Sequence, residues 1–323
     1  MKLVYFARVQ LAKQQILAEL KDIAGLELAV TTTVPETLEA LKGADALLAT
    51  HTPAAEAAPI VDALKRPDNT VRWIHFNSAG QDGYAGNGLP DTIEATYAAG
   101  AVAPTVAEHA MALALALTRQ LPAIVRNSDQ KRWDRNQISP KTRALEGGTM
   151  AIVGFGHIGK AVAERAHGFG MRIITVSRKA EAHPLIAEAF RIEDIDEAFS
   201  QADVIVMAMA LNAETRHLVG HAELARCKST AILVNIARGG LIDQTALRNA
   251  LDNEVIAAAA LDATTEEPLP ATDPLWESRN IIISPHASAG GSVASQGRIA
   301  TAAAENVRRY IEGRPLLNPV SLR

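Results

Sequence analysis

Apolar and polar residues follow two periods along this chain. Short runs rich in branched residues recur from end to end, and between them lie longer stretches whose apolar positions repeat every three or four residues. Such runs read as strands buried on both faces and the longer stretches as covering helices, the pattern of parallel sheets. A first set of strands is expected at Leu3–Phe6, Leu26–Thr31, Ala46–Thr50, Val71–Phe76 and Ile93–Tyr97, with helices such as Leu11–Ile23 and Pro35–Leu41 between them. A helix over Val106–Leu121 and a polar loop over Asn127–Arg143 lead to a second set. Its strands are expected at Met150–Val153, Arg172–Val176, Val204–Ala208, Ala231–Ile236, Ile256–Leu261 and Ile281–Ser284.

Six strands joined by helical sequence complete a dinucleotide-binding sheet. The expected fold class is α/β: two doubly wound parallel-sheet domains, Rossmann-like or flavodoxin-like, separated by a cleft. Because the second sheet is full by Ser284, the last helical segment, Val293–Ile311, is expected to return to the first domain. Residues 1–99 and 292–323 then form a discontinuous substrate-binding domain, and residues 100–291 a dinucleotide-binding domain. Two crossings, near Ala99 and Gly291, would make a hinge suited to closing around a ligand.

Composition narrows the partners. A chain of 323 residues, 48% apolar and 21% charged, can bury a large core. Its formal net charge of -4 speaks against nucleic acid or an anionic membrane as main partner, and leaves room for a small anionic ligand. Cys227 is the only cysteine, so no internal disulfide forms and a reducing compartment is expected; its setting before an apolar run reads as structural. The apolar run Leu3–Ala7 is too short for a signal-peptide core, and no apolar stretch approaches the roughly 20 residues of a membrane span. A cytoplasmic location is expected.

The clearest motif is Gly154-Phe155-Gly156-His157-Ile158-Gly159, which follows an expected strand and opens an expected helix. In that setting Gly154 permits the tight turn, Gly156 lets backbone approach a pyrophosphate, and Gly159 allows close helix–strand packing. The helix N-terminus then offers free N–H groups and a positive dipole end to phosphates. The plain alternative is a glycine turn with no ligand. The next strand ends in Ser177-Arg178-Lys179, where an NAD enzyme usually carries a carboxylate for the ribose 2′-hydroxyl. Two cations and a hydroxyl in place of that acid favour a 2′-phosphate, so NADP(H) is the preferred cofactor and NAD(H) the alternative. Arg178 and Lys179 as a solvated turn is the bland reading.

Ligands of open α/β sheets sit beyond the carboxyl ends of the strands. Three later strands run into Arg238, into Asp262 with Glu266 and Glu267, and into His286. A 2-oxo acid undergoing reduction needs a cation to hold and polarise it, which Arg238 supplies without risk of losing its charge. It also needs a proton on oxygen as hydride reaches carbon. His286 titrates in the right range to give that proton, and Glu267 would stabilise its imidazolium. The plain readings are Arg238 as a cap or ion-pair partner, Glu267 as a solvated loop acid and His286 as a packed strand-end histidine. The other eight histidines, His109 and His157 among them, have no comparable setting and read as structural or surface residues.

With Val106-Ala107-Glu108-His109-Ala110, Ala237-Arg238-Gly239, Leu261-Asp262, Glu267-Pro268-Leu269 and Pro285-His286 in this order, the sequence resembles the D-isomer-specific 2-hydroxyacid dehydrogenases over nearly its whole length. The resemblance implies that Arg238 binds substrate and that His286 and Glu267 are the acid–base pair. It implies that Asp262 holds the nicotinamide carboxamide, with Ala237 and the glycine-loop residues Phe155, His157 and Ile158 also lining the cofactor. Backbone N–H groups of Ala79 and Gly80 would grip the substrate carboxylate, in keeping with an anion-binding turn after a strand. A homodimer is implied too, paired through the region of Val106–Leu121, a helix apolar nearly all round. The chain departs from the family at Ala210, where a proline is usual, and at Ala263 and Thr264, where a valine and an aromatic are common. No catalytic group is lost by either departure.

Glyoxylate or hydroxypyruvate is the leading substrate, since NADPH favours the reductive direction. Loops at Thr50–Thr52 and Ser78–Tyr84, with Trp133 or Trp276, are candidates for substrate choice. Rival readings are oxidation of an oxyanion such as phosphite and a nucleotide-sensing, corepressor-like binding protein.

Overall fold

In the computed structural model, which describes residues 1–322, the chain divides into two compact units. One comprises Met1–Val102 and the segment from Gly290 onward, and the other Ala103–Ala289. Arg323, the last residue of the expected first domain, lies outside the described residues.

The first unit runs β1 (Lys2–Phe6), α1 (Lys13–Leu20), β2 (Glu27–Thr31), α2 (Val34–Ala40), β3 (Ala46–Ala49), α3 (Ala54–Leu64), β4 (Trp73–Phe76), α4 (Asp82–Gly86) and β5 (Glu94–Tyr97). All five strands are parallel, in the order β2-β1-β3-β4-β5. That is the flavodoxin-like order of a doubly wound sheet. Alternate residues of each strand feed opposite faces. Val4, Phe6, Leu47, Ala49, Ile74 and Phe76 pack with Ile60, Val61 and Leu64 of α3 on one side. On the other face Trp73 stacks on Tyr310 at 5.3 Å and donates through Nε1 to Thr96 Oγ1 at 2.8 Å. Thr96 Oγ1 in turn lies 2.8 Å from His75 Nδ1, and burial pushes the His75 imidazole down to about 3, so it stays neutral.

The second unit begins with α5 (Ala103–Thr118), α6 (Leu121–Asp129) and α7 (Arg135–Ile138). Then come β6 (Thr149–Val153), α8 (His157–Gly168), β7 (Arg172–Val176), β8 (Glu188–Phe190), α9 (Ile195–Gln201) and β9 (Val204–Met207). It closes with α10 (His221–Leu224), β10 (Ile232–Asn235), α11 (Gln244–Asp252), β11 (Ala258–Leu261) and β12 (Ile281–Ile283). The seven strands are parallel, in the order β12-β11-β10-β9-β6-β7-β8. The direction of winding reverses between β6 and β9, the point where such sheets bind ligands. After β12 the chain returns to the first unit as α12 (Val293–Ile311), capped by Ser292, whose hydroxyl accepts from Ser295 N–H at 3.1 Å.

Three sequence expectations need correction. The second sheet has seven strands rather than six, because β8 adds itself to the edge of β7. Its three residues include Glu188 and Ala189, both poor strand formers, and the open edge of β7 supplies the backbone partners. The single helix expected over Val106–Leu121 starts earlier and ends at Thr118; Gln120 turns left-handed at φ 58°, and Pro122 in the first turn of α6 bars continuation. The expected loop over Asn127–Arg143 opens within α6 and contains α7.

The apolar face of α5 is covered within its own unit. Val106, Ala107, Ala110, Met111, Leu113, Ala114 and Leu117 are buried, and the helix packs on α8, β10 and β11 of its own unit. The exposed large apolar side chains of this region are Leu121, Ile124 and Val125 of α6, with Trp133 beyond them 95% exposed. Among the described residues no helix is long and apolar enough to cross a membrane.

Candidate active site

Parallel strands bring their carboxyl ends to one rim, and β12, β11 and β10 are neighbours. The segments after them carry His286, Asp262 with Glu267, and Arg238. Arg238 is set by a strand-end turn that Asn235 organises. The buried Asn235 amide donates to the Arg238 carbonyl at 2.8 Å, and its oxygen accepts from Ala237 N–H at 3.0 Å. Gly239 lets this turn lie against the next loop: a Cβ there would stand 2.0 Å from the Thr264 carbonyl carbon. Thr264 is thereby held where its N–H donates to Glu267 Oε1 at 3.1 Å.

The other carboxylate oxygen, Glu267 Oε2, lies 2.8 Å from His286 Nδ1. His286 itself takes a left-handed backbone conformation at φ 52°, uncommon for a non-glycine residue. The hydrogen bond to Glu267 raises the imidazole above its usual value; burial pulls the other way, the Glu267 charge adds to the rise, Arg238 opposes it and Asp262 supports it. One histidine therefore feels a guanidinium and two carboxylates. Glu266, its neighbour in sequence, is exposed and gives its carbonyl to Thr264 Oγ1 at 2.7 Å.

Asp262 is 1% exposed and saturated with donors on one side. Its Oδ1 accepts from Ser284 Oγ at 2.6 Å and Ala287 N–H at 2.9 Å, and its Oδ2 from Ser288 N–H at 3.1 Å. His109, on α5, places Nε2 3.2 Å from Ser284 Oγ and 3.4 Å from Asp262 Oδ1. His109, read from sequence as a structural or surface residue, thus belongs to the network at this rim. Its position in Val106-Ala107-Glu108-His109-Ala110 was visible; that α5 would pack on β10 and β11 was not.

The glycine loop fits a dinucleotide by a direct steric test. A Cβ on Gly154, whose φ is 101°, would press to 2.7 Å on Ala208 and Met209, and one on Gly159 would come within 2.1 Å of the Gly154 carbonyl oxygen. On Gly156 it would meet nothing within 4 Å. Two glycines are needed by the protein's own packing, and the middle one leaves open space in front of the N-terminus of α8, where no side chain caps the helix. A phosphate is the ligand such a cradle suits. Phe155 beside it packs edge-on to His183 at 5.2 Å. His157 begins α8 exposed, with Ile158 half-buried behind it. At the end of β7, Ser177 is half-buried while Arg178 and Lys179 are exposed, and Lys179 lies 3.6 Å from the exposed Glu181, a pair of little energetic weight.

Residues 111–288, more than half of the chain, match the family described as D-isomer specific 2-hydroxyacid dehydrogenase, NAD binding domain. The chain belongs to the D-isomer-specific 2-hydroxyacid dehydrogenase family. It is 34% identical to the D-3-phosphoglycerate dehydrogenase of Methanocaldococcus jannaschii over 94% of this chain and 56% of that protein. It is 36% identical to the glyoxylate reductase of Korarchaeum cryptofilum over 68% of this chain and 67% of the other. The chain thus spans between about half and two thirds of the length of these curated relatives. Among solved structures, the D-isomer specific 2-hydroxyacid dehydrogenase of Xanthobacter autotrophicus Py2, in complex with NADPH and MES, is similar with a TM-score of 0.80 and 25% identity, covering 100% of this chain and 98% of that one.

Within this member of the 2-hydroxyacid dehydrogenase family, the remaining sequence candidates divide by unit. Ala79 and Gly80 follow β4 in the first unit, where the Ser78 hydroxyl donates to the Gly80 carbonyl at 3.1 Å and holds the turn. Ala210 lies after β9, and its carbonyl accepts from Thr215 Oγ1 at 2.9 Å; Ala263 is buried beside Asp262. Cys227 is a packed thiol that burial pushes up to about 12, far from nucleophilic use near neutral pH.

Proposed function

We propose that this chain reduces a small 2-oxo acid to the D-2-hydroxy acid, glyoxylate or hydroxypyruvate foremost, with NADPH preferred over NADH. The observation that carries the reading is the 2.8 Å pair of His286 Nδ1 and Glu267 Oε2, set beside the Arg238 charge at adjacent strand ends. A bound nicotinamide supplies the hydride in reduction and takes it in oxidation. Glu267 accepts the Nδ1 proton, so Nε2 is the nitrogen that faces reaction chemistry. As C2 of the 2-oxo acid becomes tetrahedral, His286 gives its Nε2 proton to the carbonyl oxygen and becomes neutral, while Glu267 stays ionised. Arg238 holds the anionic substrate and polarises that oxygen with a charge it cannot lose. Asp262 keeps an acceptor for the nicotinamide carboxamide, and Gly154–Gly159 with Ala237 line the dinucleotide. In the first unit, backbone N–H groups of Ala79 and Gly80 are the donors proposed for a carboxylate.

Cofactor preference rests on the absence of a carboxylate among Ser177, Arg178 and Lys179 and on the NADPH held by the similar Xanthobacter structure. A homodimer is proposed through the exposed apolar residues of α6. The test is to follow nicotinamide absorbance with NADPH and NADH against a panel of 2-oxo acids. Turnover should be fastest with a two- or three-carbon acid and NADPH. The double change Arg178→Ala, Lys179→Ala should raise KM for NADPH by about tenfold or more, the worth of one or two charge-assisted hydrogen bonds, and leave that for NADH nearly unmoved. Silence with every acid would remove the enzymatic reading, and equal use of NADH would remove the preference.

A further inference from the structure

His109 adds a component to this site that neither the motif residues nor the acid–base pair explains. Hydroxyl chemistry fixes the direction of its hydrogen bonds. Ser284 has one proton and spends it on Asp262 Oδ1 at 2.6 Å, since an ionised carboxylate only accepts. The 3.2 Å contact of Ser284 Oγ with His109 Nε2 must then run the other way, with Nε2–H donating. A one-way chain results, from His109 Nε2–H to Ser284 Oγ–H to Asp262 Oδ1. It ends on a carboxylate that is almost wholly buried.

A carboxylate offers about four acceptor positions, two on each oxygen. Oδ1 is filled by Ser284 Oγ and Ala287 N–H, with His109 Nε2 a further 3.4 Å away, and Oδ2 holds Ser288 N–H. One position on Oδ2 is left over. Oδ2 already accepts from Ser288 N–H, and its second position can take a donor that arrives with a ligand without displacing any bond of the protein.

We propose that His109 is a positioning residue for cofactor binding: acting through Ser284, it pins Asp262 by Oδ1 and so reserves Oδ2 for an N–H donor of the nicotinamide carboxamide. The inference rests on the role proposed above for Asp262. Its consequence is selective, because the chain bears on the nicotinamide end of the dinucleotide and not on the phosphates at the glycine loop.

The experiment is fluorescence titration of the full chain with NADPH and with 2′-phospho-ADP-ribose, which lacks nicotinamide, run in parallel with NADH and ADP-ribose. His109→Leu should weaken binding of the nicotinamide dinucleotide about tenfold, the worth of one hydrogen bond to a charged group, and leave the shortened molecule bound as before. KM for the dinucleotide should rise by a similar factor while KM for the 2-oxo acid holds. His109→Gln, whose amide can donate from nearly the Nε2 position, should restore most of the loss. Equal weakening toward both molecules, unchanged affinity for both, or failure of the glutamine variant to restore binding would each overturn the proposal. Asp262→Ala separates the two levels. If it leaves dinucleotide affinity unchanged, the role of Asp262 falls and the proposal with it; if it weakens binding while His109→Leu does not, only the proposal falls.

Discussion

At the scale of single residues, the proposed chemistry turns on how one imidazole is charged. The Glu267 hydrogen bond raises His286 above its ordinary value, so the imidazolium persists to higher pH than a free histidine allows. Reduction uses that protonated form, and its rate is expected to fall as pH rises through the elevated value; oxidation uses the neutral form and should rise there. Glu267→Gln removes the largest cause of the elevation, so the falling limb of kcat/KM for reduction should move to lower pH. His286→Ala should cut turnover by about 10²- to 10⁴-fold, the usual worth of a general acid, while dinucleotide titrations stay close to normal. Profiles of kcat/KM against pH for the three proteins decide this, and an unmoved limb in the glutamine variant would detach Glu267 from the acid. The residue types and their order along the chain made Arg238, Glu267 and His286 readable from sequence. The donors that hold them did not stand out: Asn235 and Thr264 are ordinary residues until the backbone curls to meet them.

Among the elements, strand ends and glycines decide which loops can touch. Gly239 is the joint between the Arg238 turn and the loop leading to Glu267. Gly239→Ala would drive a methyl group into the Thr264 backbone, and one loop or the other must move. The expected outcome is a loss of about 1–3 kcal/mol in denaturant unfolding, as for overpacking elsewhere, together with a larger fall in kcat than in dinucleotide affinity. A variant with unchanged stability and turnover would show that the two loops have slack between them. Strand positions were legible because branched residues cluster in them, and all eleven expected strands lie within two residues of the observed bounds at each end. β8 was not, since a run of three residues with Glu and Ala in it becomes a strand only when a neighbouring edge is already in place. Helix α5 shows the same limit. Its apolar surface was plain in the sequence, and only packing revealed that α8, β10 and β11 cover it.

For the molecule as a whole, the exposed residues of α6 carry the assembly prediction. Leu121, Ile124 and Val125, at positions i, i+3 and i+4, share one exposed face of α6 whose burial against a second copy would be favourable. Light scattering on the intact chain should report a dimer, and Val125→Asp should shift it toward monomer with the fold, followed by circular dichroism, retained. A wild-type chain that stays monomeric at micromolar concentration would count against pairing. The sequence by itself determined the α/β class, the two sheets, the glycine loop and which residues are candidates for the reaction, because periodicity, motif spacing and side-chain chemistry are local properties. Tertiary structure alone decided which groups meet: the His286–Glu267 distance, the reach of His109 to Ser284 and Asp262, and the open face of Gly156. Those depend on contacts between residues far apart in the chain, and no local pattern records where a distant strand end or helix face will come to rest.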